Sequence, residues 1–93
     1  MSKLTRAQIA AAVKRVPGWK VAGAAIRRTF ELADFVAAIA FVNTVADLAE
    51  QAQHHPDIDI RWNRVRLTLS THDAGGLTAK DFALARRINR AAA

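Results

Sequence analysis

The chain has 93 residues, room for one domain over 1–93, and 21 of its apolar residues are alanine, so the larger hydrophobes must sit on defined faces. It has no cysteine, which excludes disulfide scaffolds, thiol nucleophiles and thiolate metal sites; no uninterrupted apolar run reaches the ~18 residues of a membrane span, and MSKLTRAQ lacks a signal-peptide core, so a soluble, cytoplasmic chain is expected. The net charge of +6 divides into +7 over residues 1–30, −6 over 31–60 and +5 over 61–93, a pattern unlike the continuous basic stripe of a nucleic-acid binder, and no nucleic-acid partner is expected.

Thr5 and Gln8 have capping-box spacing, and Leu4 and Ile9 stand at hydrophobic-staple positions. Ile9, Val13 and Val16 continue at helical spacing until Pro17-Gly18 ends the helix. Trp19–Ala22 and Ile26–Leu32 follow, with Gly23 between them. The alternation of Ile26, Phe30 and Leu32 with Arg27, Thr29 and Glu31 predicts a half-buried strand, and the two runs form a hairpin. Asp34 caps a long helix to about Gln53. Its apolar rows are Phe35, Ile39, Val42 and Phe41, Val45, Leu48, Ala52, which predict a wide buried face. Pro56 stops it.

Ile58–Trp62 and Val65–Thr71 form the clearest hairpin. With Asn63-Arg64 as its two-residue loop, Trp62 faces Val65, Ile60 faces Leu67 and Ile58 faces Leu69, so every larger hydrophobe falls on one face. Trp62 is assigned to the core. Thr78 starts the last helix, with Asp81 as an N3 acid and Leu77 and Phe82 at staple positions; Arg86, Arg87 and Arg90 crowd its C-terminal end, where the helix dipole favours positive charge. The order α-β-β-α-β-β-α predicts an α+β fold: a four-stranded antiparallel sheet with helices packed on one face.

The chemistry-bearing residues are three histidines. Extending the hairpin register sets His55 opposite His72. His54 is adjacent to His55, with Glu50 one helical turn before it. Three imidazoles at one end of the sheet suit general acid–base work near neutral pH. They could also hold zinc, but an adjacent His-His pair is awkward for one tetrahedral ion, and no metal is expected.

The stretch Glu50-Gln51-Ala52-Gln53-His54-His55-Pro56-Asp57, then Trp62-Asn63-Arg64-Val65, Leu69-Ser70-Thr71-His72-Asp73, Gly76-Leu77-Thr78 and Asp81, with Pro17-Gly18-Trp19 and Phe30 earlier, resembles the pterin-4a-carbinolamine dehydratase family over nearly the whole chain. The resemblance implies a hydro-lyase that converts a 4a-hydroxytetrahydropterin to a quinonoid dihydropterin and water, in the tetrahydrobiopterin recycling that serves aromatic amino acid hydroxylases. It implies no cofactor. It makes His54, His55 and His72 the catalytic residues, His54 and His72 in acid–base transfer and His55 in orienting the pterin. Gln53, Pro56, Ser70, Thr71 and Asp73 become substrate-binding positions, with Glu50 and Asp81 in support. Some members have an acid where Gln53 stands, and Glu-Trp where this chain has Asp57-Ile58, so a changed pocket wall is expected. A homodimer or homotetramer is implied. The alternative is a non-catalytic role on the same fold, as a dimerisation or transcriptional cofactor or a nucleic-acid-associated module.

Overall fold

The computed structural model describes residues 2–93. Helix α1 (Arg6–Val13) leads to β1 (Lys20–Ala22) and β2 (Ala25–Glu31). Helix α2 (Phe35–Ala52), β3 (Asp57–Arg61), β4 (Arg64–Leu69), a one-turn 3-10 segment (His72–Ala74) and helix α3 (Ala79–Ala92) follow. The expected capping devices are present. Thr5 and Gln8 close a capping box on α1, Asp34 Oδ1 accepts from the Ala37 N–H, and Thr78 and Asp81 close a second box on α3.

The sheet is fully antiparallel, in the order β1-β2-β4-β3. Ile26, Phe30, Val65, Leu67 and Leu69 point to one face. They meet Ala38, Phe41 and Val45 of α2 and Phe82, Leu84, Ala85 and Ile88 of α3 in a single core, which Val16, Trp19 and Leu77 close. Burying the Val, Leu, Ile and Phe side chains among them contributes roughly 1.5–3 kcal/mol each. The opposite face carries Arg27, Thr29, Arg64, Arg66 and Asp59 and stays open to solvent, as period-two alternation requires.

Several expectations are corrected. The β3–β4 register is shifted by two residues: Ile60 pairs with Val65 and Ile58 with Leu67, and Arg61 pairs with Arg64 around a Trp62-Asn63 loop. A shift of two preserves the face of every side chain, so the hydrophobic pattern could not distinguish the two registers. The loop is fixed from β2 instead, because Asn63 Nδ2 donates to the Leu32 carbonyl and the Leu32 N–H to the Asn63 carbonyl. Trp62 takes a left-handed φ of 51° at the turn and is 68% exposed, so it is not core.

The first apolar row of α2 is also less buried than its pattern implied. Phe35 and Val36 are exposed and Ile39 and Val42 half-buried, whereas Ala38, Phe41, Val45 and Ala49 form the buried stripe. Two helices share one face of a narrow sheet, so neither is wrapped on both sides. By length and mean hydropathy (1.3 over 18 residues) α2 does reach the dimensions of a membrane span. Its buried stripe against the sheet, with Asn43, Asp47 and Glu50 exposed, is the pattern of a helix laid on a core.

Candidate functional site

Helix α2 ends in a Schellman-type turn. Gln53 adopts a left-handed φ of 51°, its N–H bonds the Ala49 and Glu50 carbonyls, and the His54 N–H bonds the Ala49 carbonyl. The turn sends His54 inward and leaves His55 outside. On the other side, Thr71 and Gly76 form an isolated bridge that closes the loop carrying His72, and Gly75, at φ 74°, ends its 3-10 turn. Glycine takes that angle at no steric cost.

These two turns face each other. Gln53, His54, His55, Ser70, Thr71, His72, Asp73 and Lys80 line one open cleft of about 270 Å³. The histidines share it although His55 and His72 are not ladder partners. Pairing between β3 and β4 stops at Asp57 and Thr68, and the Thr71–Gly76 loop brings His72 back.

His54 is the buried member, 8% exposed. Its Nε2 lies 2.5 Å from Oδ1 of the fully buried Asp81. Asp81 Oδ2 accepts from the Thr78 N–H and the Thr71 hydroxyl, each at 2.9 Å. Thr71 spends its proton on Asp81, so the 2.9 Å contact between the Thr71 and Thr78 hydroxyls runs from Thr78 to Thr71. Asp81 is therefore an acceptor on both oxygens. In the neutral ring, a proton on His54 Nε2 donates to Oδ1 and Nδ1 is left as the acceptor. The N3 capping acid and the histidine's partner are one residue.

Glu50 reaches His55, with Oε2 2.5 Å from Nε2, and not His54 as its helical spacing implied. The left-handed turn at Gln53 breaks the helical spacing and swings His55 to that side. Both side chains are largely exposed. Ser70 is half-buried, Thr71 buried and His72 and Asp73 exposed. Pro56 is half-buried and stands outside the lining. Lys80 is a lining residue the sequence did not disclose; its Nζ lies 3.5 Å from the Gln53 carbonyl, a contact across 27 residues that no local spacing encodes. Among the described residues, no group of three histidine or acidic side chains is arranged to hold a metal ion.

The family described as Pterin 4 alpha carbinolamine dehydratase matches residues 2–91. The chain belongs to the pterin-4a-carbinolamine dehydratase family. A relative from Chloroflexus aurantiacus, provisionally named for this dehydratase activity, is 62% identical over 89 residues, which cover 96% of each chain. Another, from Thermomicrobium roseum, is 53% identical over 88 residues, 95% of each chain. Membership in the dehydratase family makes this chain an enzyme of the hydro-lyase class. A solved structure described as a transcriptional coactivator/pterin dehydratase from Brucella melitensis superposes with a TM-score of 0.94 at 37% identity, covering 99% of this chain and 100% of that one. A pterin dehydratase-like RuBisCO assembly factor of the alpha-carboxysome shares the fold, with a TM-score of 0.65 at 23% identity over 80% of this chain and 86% of that one.

Proposed function

We propose that the histidine cleft dehydrates a 4a-hydroxytetrahydropterin to quinonoid dihydropterin and water. The C4a–O bond breaks, a proton is delivered to the departing oxygen to make water, and a proton leaves the ring nitrogen as the C=N bond forms. One acid and one base suffice. The observation that carries this reading is the convergence of His54, His55 and His72 on one cleft, with His54 held by Asp81.

His54 is the base. Its Nε2–H is committed to Asp81, so its free Nδ1 accepts the ring-nitrogen proton, by the logic that a carboxylate fixes a histidine's tautomer and then stabilises the imidazolium. His72, exposed on the opposite turn, is the acid that protonates the departing hydroxyl. His55, braced by Glu50, orients the pterin together with Gln53, Ser70, Thr71 and Asp73. Pro56 follows His55 and leads into β3, where its fixed φ holds the cleft's rim. The setting we infer is cytoplasmic recycling of pterin spent by an aromatic amino acid hydroxylase.

We also read the protein as a homodimer or homotetramer. The outer edge of β3 is unpaired, and Ile58 and Ile60 beside it are only half covered, at 39% and 38% exposed. Trp62, which follows β3 directly, adds further exposed apolar surface at its end.

The test is the rate of dehydration of an enzymatically generated carbinolamine, with wild type, His54→Ala and His72→Ala. Acceleration over buffer that both substitutions abolish is the expected result. Equal rates with and without wild-type protein would overturn the reading, as would full activity in both variants.

A further inference from the structure

Four arginines that no motif links converge on a second cleft. Arg15 follows α1, Arg28 lies in β2, and Arg86 and Arg90 belong to α3; Pro17, Asn89, Ala92 and Ala93 complete the lining. The cleft measures about 470 Å³ and has no acidic side chain in its wall; the C-terminal pole of α3 at Ala92 and Ala93, equivalent to roughly half a negative charge, is outweighed by the four guanidiniums. Among the described residues, none of the four arginines joins an ion pair.

The dipole of α3 explains why arginine is tolerated at positions 86 and 90. It does not explain Arg15 and Arg28, which come from other elements. Arg28 is built in. It donates to the Pro17 carbonyl at 3.0 Å and to Asn89 Oδ1 at 2.7 Å, and its guanidinium sits 4.2 Å from the Phe30 ring centroid. Asn89 is fixed in turn by the Trp19 indole N–H at 2.8 Å and by its own bond to the Pro17 carbonyl. Gly18 makes room: a Cβ there would lie 2.6 Å from Arg28 Nε. One guanidinium is thus locked in the floor, while Arg15, Arg86 and Arg90 are exposed.

Like charges that converge in a recess raise the local potential and concentrate anions there. The planar guanidinium fork matches phosphate oxygens two at a time. The volume falls within the roughly 300–1,000 Å³ of small-molecule sites. We propose that this cleft binds a compact, multiply charged anion of the polyphosphate or phosphate-ester class. The site is separate from the histidine cleft. The two share no lining residue, and Asp81 and Arg90 lie nine residues apart on α3, roughly 14 Å along its axis. A nucleic-acid backbone fits less well, because it needs charge spread along a track and these four converge on one point.

The experiment is calorimetric titration of the full chain with tripolyphosphate at low and at raised salt. Saturable binding is expected, weaker as salt rises and roughly tenfold or more weaker in the triple variant Arg15→Gln, Arg86→Gln, Arg90→Gln, whose fold is checked by circular dichroism. Arg27→Gln with Arg66→Gln, on the open sheet face, should bind like wild type. Absence of saturable heat overturns the proposal. So does undiminished affinity in the triple variant, or binding of a duplex oligonucleotide where tripolyphosphate does not bind.

Discussion

His54 Nε2 and Asp81 Oδ1 meet 2.5 Å apart across 27 residues of chain, joining the end of α2 to the first turn of α3. The carboxylate holds three partners at once: His54, the Thr71 hydroxyl and the Thr78 N–H. Asp81→Asn keeps the shape but gives the position a donor, so the proton on His54 must move to Nδ1. We expect kcat to fall roughly 10²–10⁴-fold with a smaller change in KM, as when the carboxylate of a catalytic triad is made an amide. Asp81→Ala should also cost about 2–4 kcal/mol of stability, because it strands buried donors. Urea melts beside steady-state kinetics separate the two effects. Unchanged kcat in a folded Asp81→Asn would remove Asp81 from the proton-transfer machinery.

The exposed histidines should behave differently from His54. His72→Ala removes the proposed acid from a solvent-facing turn, so activity should drop roughly 10²–10⁴-fold. Its stability should stay within about 0.5 kcal/mol of wild type. His55→Ala should mainly raise KM. The Glu50 pair it breaks is largely exposed and contributes about 1 kcal/mol or less. A His55→Ala variant that loses kcat while keeping KM would reverse the assignment of the two residues.

Local chemistry was legible in the chain: the caps at Thr5, Asp34 and Thr78, the alternation in β2 and β4, and the antiparallel α+β order. Two-residue register was not, because the period of a strand is two and Ile58 and Ile60 keep their face in either alignment. The site was legible as a set of residue types and not as contacts. Glu50 stands four residues before His54, so helical spacing paired them; the left-handed Gln53 breaks that spacing and gives Glu50 to His55. The Asp81–Thr71 bond depends on packing between α3 and the loop after β4, and the Lys80–Gln53 contact on packing between α3 and the end of α2, neither of which any spacing records.

Gln53 offers a trade between stability and function. Its left-handed φ of 51° favours glycine, so Gln53→Gly should stabilise the fold by about 0.5–1 kcal/mol. The same side chain lines the cleft, so KM should rise. Thermal melts and kinetics on one preparation check both. A higher Tm with unchanged KM would take Gln53 out of substrate binding and leave it only a capping role.

The free edge of β3 predicts the oligomeric state. β1 is three residues long, but β3 presents a five-residue outer edge whose alternate residues turn free N–H and C=O groups outward, and a two-fold pairing of β3 edges would use the same surface on both copies. An axis through Ile60 would set Asp59 against Arg61 of a second copy and bring Ile58 beside its Trp62, matching charge on the open face and apolar surface on the other. Light scattering should therefore give wild type at two or four times the chain mass of 10.1 kDa. Ile58→Lys with Ile60→Lys places two charges on that seam, and because both positions are half exposed the ammonium groups can reach water without unfolding the monomer. The double variant should run at the mass of a single chain. A monomeric wild type would sink this reading of β3, and so would a folded double variant that keeps the wild-type mass.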